Sequence, residues 1–373
     1  MRTRVILLSG FLGAGKTTTM IRAAHMLEAK GKKVAVVTND QGSSLIDTAL
    51  GRNNRLVTEE VAGGCFCCRF DDLLRTLLTL RETLQPDVII AEAVGSCTDL
   101  SATVIQPLKH LYHDDFDMAP LTILVDPKRL LASFSTGASP LFSNAVHYIF
   151  EKQLEEADMI VINKLDQYAV TDIKTLTAVL TDRYPDALIQ PISATRGDHM
   201  DLLIHEWMTS TISGNHLLDL DYGKYAAGEA ALAWLNLRGE ATSLSAFPIK
   251  QWLTVFMNEL EVYFILEKMA VAHLKILVEH DGGFAKASID ATGADPVFLL
   301  EGEEEALAIH LVLNLRVETS PWRLDEVVKT ALSAVNSEWK LDFHLTHHEC
   351  FQPAPPEPTY RYTKKQSPPT NAG

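Results

Sequence analysis

Hydrophobic residues are distributed in two different ways along the chain. From residue 4 to about residue 211, the continuous apolar runs "RVILLS", "KVAVVTN", "DVIIAE", "LTILVD", "MIVINK" and "ALIQPIS" alternate with longer segments of helical period. A strand covered on both faces needs apolar side chains at every position, whereas a half-solvated strand alternates. These runs therefore predict a mainly parallel sheet wound with helices, an α/β domain. The pattern breaks in "SGNHLLDLDYGKYAAGE", residues 213–229. Beyond it come the run "AALAWLNL", an amphipathic segment over about 247–269, the strand candidates "HLKILVE", "GFAKASI" and "ALAIHLVLNLRVE", and a helix opening at "SPWRLDEVV" with Pro321 in its first turn. That order predicts a smaller α+β domain, a helical face on a mostly antiparallel sheet. The final stretch from Phe351 is rich in proline and poor in aliphatics, and is expected to be extended or disordered beyond a docked start. The expected division is 1–215, 216–350 and 351–373.

A chain of 373 residues that is 47% apolar can bury two such cores. Its net charge of -15, with no run of Lys or Arg, argues against nucleic acid or an anionic membrane as partner. The apolar start "VILLSGFLGAG" runs straight into Lys16 and is better explained as a strand feeding a glycine loop than as a leader, so a cytoplasmic location is expected. Five cysteines, an odd number and mostly clustered, do not suit a disulfide framework and point to metal or redox chemistry.

Residues 10–17, "GFLGAGKT", match G-x-x-x-x-G-K-[ST] between a predicted strand and a predicted helix. Gly10, Gly13 and Gly15 let the backbone wrap a phosphate with its amides inward, and Ala14 and Thr18 complete the lining. Lys16 would reach the β and γ phosphates, and Thr17 would offer its hydroxyl to Mg²⁺. "VINKLD", residues 161–166, closes a late strand with Asn163, Lys164 and Asp166. A carboxylate at Asp166 can accept from both the ring N–H and the exocyclic amine of guanine, whereas adenine would leave it unpaired, so GTP is favoured. Lys164 would lie along the base, Asn163 would brace the loops, and Ser193 and Ala194 in "ISAT" would offer backbone amides to the base oxygen. Glu92 and Asp40, at the ends of their strands, are candidates to position water or serve the Mg²⁺ shell; as alternatives, each could cap a helix.

"GGCFCCRF", residues 63–70, sets Cys65, Cys67 and Cys68 between two glycines and a predicted helix. Thiols near a helix N-terminus have lowered pKa values, so thiolates suited to Zn²⁺ are expected, with a fourth position left open for passing the metal on. A strained disulfide or simple packing are the alternatives. Cys97 is read as buried filler that could approach the same edge. His344, His347, His348 and Cys350 in "HLTHHEC" are either a second metal site or a polar strand with solvated histidines.

With these motifs in this order, residues 1 to about 210 resemble the CobW-like GTPases, relatives of the nickel chaperones HypB and UreG. "GGCFCC" matches that family's GGC-x-CC loop, and "FEKQLEEADMIVINKLD" its approach to the guanine loop. The resemblance implies that Cys65, Cys67 and Cys68 include metal ligands, that Glu92 and Gly95 form an E-x-x-G element, and that Asp40 lies in a switch. "NDQGS" stands where family members often carry "NEFGE", with Asp40 and Ser43 in place of two glutamates, which implies an altered coordination set. The implied function is a GTPase that delivers zinc or cobalt (Zn²⁺ or Co²⁺), or a metal cofactor, to a client metalloenzyme or corrinoid-dependent protein, with a homodimer as a permitted assembly. Two other classes remain: a GTP-dependent binding module that carries no metal, and a P-loop kinase.

Overall fold

The apolar run that follows Arg2 becomes β1 (Thr3–Ser9), buried at every position. In the computed structural model, which describes residues 2–39, 56–134 and 141–363, β1 lies inside an eight-stranded sheet. The other strands are β2 (Val34–Asn39), β3 (Val57–Val61), β4 (Val88–Glu92), β5 (Phe116–Met118), β6 (Thr122–Val125), β7 (Met159–Ile162) and β8 (Leu188–Pro191). Their order is β3-β2-β4-β1-β6-β7-β8, with β5 pairing with β1, and every pair is parallel. Parallel strands need crossovers, supplied here by α1 (Lys16–Ala29), α2 (Phe70–Thr83), α3 (Gln106–Leu111), α4 (Pro127–Phe134), α5 (Asn144–Glu156) and α6 (Val170–Arg183), followed by α7 (Met200–Thr209) and α8 (Tyr222–Ala230). One face is filled by Ile6, Leu8, Ala24, Leu27, Val36, Ile90, Leu124, Val161 and Trp207. The Trp207 indole N–H donates to Thr122 Oγ1 at 2.8 Å, so this buried ring leaves no polar atom unsatisfied.

The winding reverses at β1, with β4 on one side and β6 on the other. In open α/β sheets that reversal opens a crevice at the carboxyl ends of the strands, and the loop after β1 enters it.

The second unit, Ala227–Pro355, is a six-stranded sheet in the order β12-β11-β10-β13-β9-β14, antiparallel throughout. It comprises β9 (Leu232–Pro248), β10 (Ala270–His280), β11 (Gly283–Ile289), β12 (Val297–Gly302), β13 (Glu305–Glu318) and β14 (Asp342–Phe351). Helices α9 (Ile249–Leu266) and α10 (Pro321–Trp339) bury Trp252, Phe256, Leu260, Leu324 and Val328 against Leu235, Ile276 and Leu313. Ser320 Oγ accepts from the Arg323 N–H at 3.3 Å and caps α10. "HLTHHEC" forms the edge strand β14, where His348 pairs with Asp325 at 2.6 Å and the Cys350 thiol donates to the Pro321 carbonyl. Among the described residues only Cys65, Cys67 and Cys68 form a group of three or more side chains able to share a metal, so the histidines of β14 do not converge on one.

The first unit runs on to Ala226, and residues 356–363 return to it. The proline-rich segment is thus bound over these positions, further along than the docked start expected of it. No helix among the described residues is long and apolar enough to cross a membrane.

Candidate nucleotide and metal site

Gly10 opens the loop after β1 with φ 126°, and a Cβ there would stand 2.1 Å from the Leu124 carbonyl oxygen. Gly15, at φ 90°, would drive a Cβ to 2.3 Å from Asn163 Nδ2. Both positions thus require glycine on conformational and steric grounds. Gly13 also has positive φ, Ala14 is buried and Thr18 is exposed on the first turn of α1. Lys16, buried, donates to the Gly10 carbonyl at 2.7 Å, folding its ammonium into the loop. The Thr17 hydroxyl donates to Glu92 Oε1 at 3.0 Å, so the hydroxyl of α1 and the carboxylate ending β4 meet at the crevice. Asp40 lies outside the described residues.

Asn163 joins two loops: its amide donates to the Ala14 carbonyl at 3.0 Å, and its Oδ1 accepts from the Ala194 N–H at 3.1 Å. Asp166 accepts from the Ser193 hydroxyl, and Lys164, at φ 63°, pairs with Asp126 at the end of β6. The Ser193 N–H goes to the Asp198 carbonyl and that of Ala194 to Asn163. The two amides expected to face a base oxygen are therefore engaged within the fold, that of Ser193 by the 193–198 turn and that of Ala194 by the Asn163 side chain. The side chain of Ser193, rather than its amide, faces the Asp166 carboxylate.

The cysteine loop is shaped by Asn39, a residue the sequence offered no reason to single out. Its amide donates to the carbonyls of Val61 and Gly64 at 2.8 and 2.7 Å, and its Oδ1 accepts from the Phe66 N–H at 3.0 Å. The Cys65 carbonyl accepts from the N–H groups of Cys68 and Arg69, a first turn that leads into α2. Sulfur–sulfur distances are 2.7 Å for Cys65–Cys67, 3.3 Å for Cys65–Cys68 and 3.7 Å for Cys67–Cys68. Cys97 Sγ lies 3.7 Å from Cys67 Sγ. Residues 356–363 run along the outer side: the Glu357 N–H donates to Cys68 Sγ at 3.2 Å, that of Thr359 to the Cys67 carbonyl at 3.0 Å, and Tyr360 packs edge-on to Phe70. Arg361 pairs with the buried Asp99 at 2.7 Å and lies over the Tyr222 ring.

The expectation of lowered thiol pKa values is not met. The hydrogen bond with Cys65, then those with Cys68 and Cys97 and burial, push Cys67 well above the ordinary thiol value. Cys68 rises to about 11, chiefly through its hydrogen bond with Cys65 and its burial. Crowded, half-dry sulfurs hold their protons more strongly than the helix end repels them, so a metal must displace protons to bind.

A second buried acid underlies the turn after β4. Glu156, fully buried at the end of α5, accepts from the Thr98 hydroxyl at 3.0 Å and the Ser101 N–H at 3.2 Å. Burial, with the nearby Asp99 charge, raises its pKa to about 8. The folded protein therefore binds a proton here that the unfolded chain has released above the ordinary glutamate range. This contribution to stability is complete at pH 4 and declines between roughly pH 4.5 and 8, by up to about 1.4 kcal/mol per pH unit. Thermal unfolding of Glu156→Gln should lose that slope while keeping the acid-side melting temperature; a wild-type melting temperature that instead rises from pH 5 to 8 through this residue would refute the assignment.

A glycine loop at the reversal strand, with a hydroxyl–carboxylate pair beside it and an amide bracing it from β7, defines a P-loop nucleotide-binding protein. The chain belongs to the CobW/HypB/UreG family, whose nucleotide-binding domain model matches residues 4–190. It is 27% identical over 221 residues to the zinc chaperone CobW of Pseudomonas aeruginosa, covering 52% of this chain and 57% of that protein. It is 33% identical over 174 residues to the zinc chaperone YeiR of Escherichia coli K12, covering 44% and 47%. The chain thus spans about half the length of the curated relatives it matches. The Zn(II)-bound YjiA GTPase from E. coli overlaps 90% of this chain and 99% of its own at 17% identity, with a TM-score of 0.38.

Proposed function

We propose that the chain binds and hydrolyses GTP, and that nucleotide state governs a thiolate site that takes up zinc or cobalt and passes it to a client metalloenzyme. The observation that carries this reading is the convergence of three sulfurs within 4.8 Å of one another, in a loop following β3 of the sheet whose β1 feeds the phosphate loop. The names of the relatives add weight for zinc.

In this reading Lys16 holds the β and γ phosphates, and the amides of residues 13–17 neutralise charge as the γ phosphate departs. Thr17 and Glu92, hard oxygen donors 3.0 Å apart, fit Mg²⁺, which when bound supplies further charge neutralisation. Glu92 or Asp40 orients the attacking water, and Asp166 selects guanine. Three sulfur donors suit a borderline or soft cation and exclude Mg²⁺ from the second site.

The test is GTP hydrolysis by anaerobic, metal-free protein titrated with Zn²⁺ or Co²⁺, beside a Cys65/Cys67/Cys68→Ala triple variant. A rate that changes near one metal per chain, and only with the thiols present, supports the coupling. A rate indifferent to both, with no metal retained on dialysis, points instead to a GTP-dependent module that recognises a corrinoid or metalloenzyme without carrying metal.

A further inference from the structure

We propose that Cys97 is the fourth thiolate of the metal site and ties that site to the nucleotide loop; this rests on Cys65, Cys67 and Cys68 holding a metal. A tetrahedral ion with metal–sulfur bonds of about 2.3 Å sets its sulfurs about 3.8 Å apart. Cys67 Sγ lies 3.7 Å from Cys97 Sγ and 3.7 Å from Cys68 Sγ, so two edges of such a tetrahedron already stand near full length; Cys97 lies outside the group of sulfurs all within 4.8 Å of one another and must shift inward to complete the set. Cys97 is fully buried, and its sulfur is in contact with the cluster rather than with apolar side chains alone.

The position of Cys97 is built. Its N–H closes a turn on the Val94 carbonyl at 3.0 Å, and the buried Gln153 amide of α5 donates to the carbonyls of Gly95 and Cys97 at 3.0 and 2.9 Å. The same turn begins at Glu92, which accepts from Thr17. Gly95 presses on Leu12 of the phosphate loop so closely that a Cβ would stand 2.6 Å from Leu12 Cδ2. Four residues thus separate a carboxylate at the phosphate end from a sulfur at the metal end. A nucleotide that displaces Glu92 moves Cys97 with it. With Cys97 in place the site is closed by four soft donors, the set for Zn²⁺ and similar cations; with Cys97 withdrawn it keeps three and gains an open position for transfer. By linkage, metal held by four sulfurs must in turn change nucleotide affinity.

Cobalt reports this directly, because thiolate-to-cobalt absorption in the near ultraviolet scales with the number of bound sulfurs. Full-length, anaerobic, metal-free wild type, Cys97→Ser, Cys97→Ala and the Cys65/Cys67/Cys68→Ala triple variant are titrated with Co²⁺, each with GDP and with a non-hydrolysable GTP analogue. In the Cys97 variants the absorption per bound cobalt should fall by about a quarter. The dissociation constant should rise by more than about 100-fold, beyond what changes outside the ligand shell cause, and its dependence on nucleotide should vanish. Undiminished absorption per cobalt in both Cys97 variants overturns the proposal while leaving a three-sulfur site intact. No cobalt absorption in the wild type overturns the underlying metal site instead. Should the variants fail to fold, X-ray absorption of the zinc-loaded wild type decides: four sulfurs near 2.3 Å support Cys97, and three with a lighter atom exclude it.

Discussion

Replacing Lys16 with alanine is expected to slow GTP hydrolysis by about 10³-fold at saturating nucleotide, the cost of removing one preorganised donor from developing charge. The ammonium is held inside the loop by the Gly10 carbonyl, 2.7 Å away, and is buried. Because the lysine acts on charge that grows as the γ phosphate departs, the loss should fall on kcat more than on nucleotide affinity. Single-turnover hydrolysis beside equilibrium binding separates the two. A Lys16→Ala protein that turns over at the wild-type rate would place the phosphates elsewhere.

The second large effect concerns the base. In the proposed reading the Asp166 carboxylate accepts two hydrogen bonds from guanine, and an asparagine there would turn a donor toward the exocyclic amine. Asp166→Asn should therefore weaken GTP binding by about 10⁴-fold, the scale on which a site built for a hydrogen bond rejects a partner lacking it. Xanthine carries a carbonyl where guanine carries that amine, so the same variant should bind xanthosine triphosphate more tightly than GTP. Competition between the two nucleotides measures the switch. Unchanged preference for GTP would mean that Asp166 serves only to fix Ser193, whose hydroxyl it accepts in the free protein.

The parallel sheet was legible because β1, β2, β4, β6 and β7 are buried at every position, which leaves continuous apolar runs in the sequence. The strands that escaped notice sit where that rule fails. β3 is an edge strand with the exposed Val57 and polar Glu59 and Glu60; β5 is three residues long; β12, the edge of the second sheet, is largely solvated. The G-x-x-x-x-G-K-T and N-K-x-D motifs announce themselves by residue type at fixed spacing. Cys97 does not, since its approach to Cys67 follows from strand order: β4 lies beside β2 and β2 beside β3, so the loops after β3 and β4 share one end of the sheet. The return of residues 356–363 was equally silent. It rests on backbone N–H groups, one buried ion pair and aromatic contacts, none of which leaves an apolar period.

That return has a consequence for how the protein is made. Cys68 and the backbone amide that bonds its sulfur are 289 positions apart, and at ribosomal rates of about 5–20 residues per second that interval lasts roughly 15–60 s. Throughout it the newly made thiols stand without their outer strand of polypeptide, so oxidation or adventitious metal has its best opportunity during synthesis rather than in the finished molecule. A fragment ending at Ala226 would keep them in that nascent condition permanently, and its thiols should react with alkylating reagents as those of a half-built chain do.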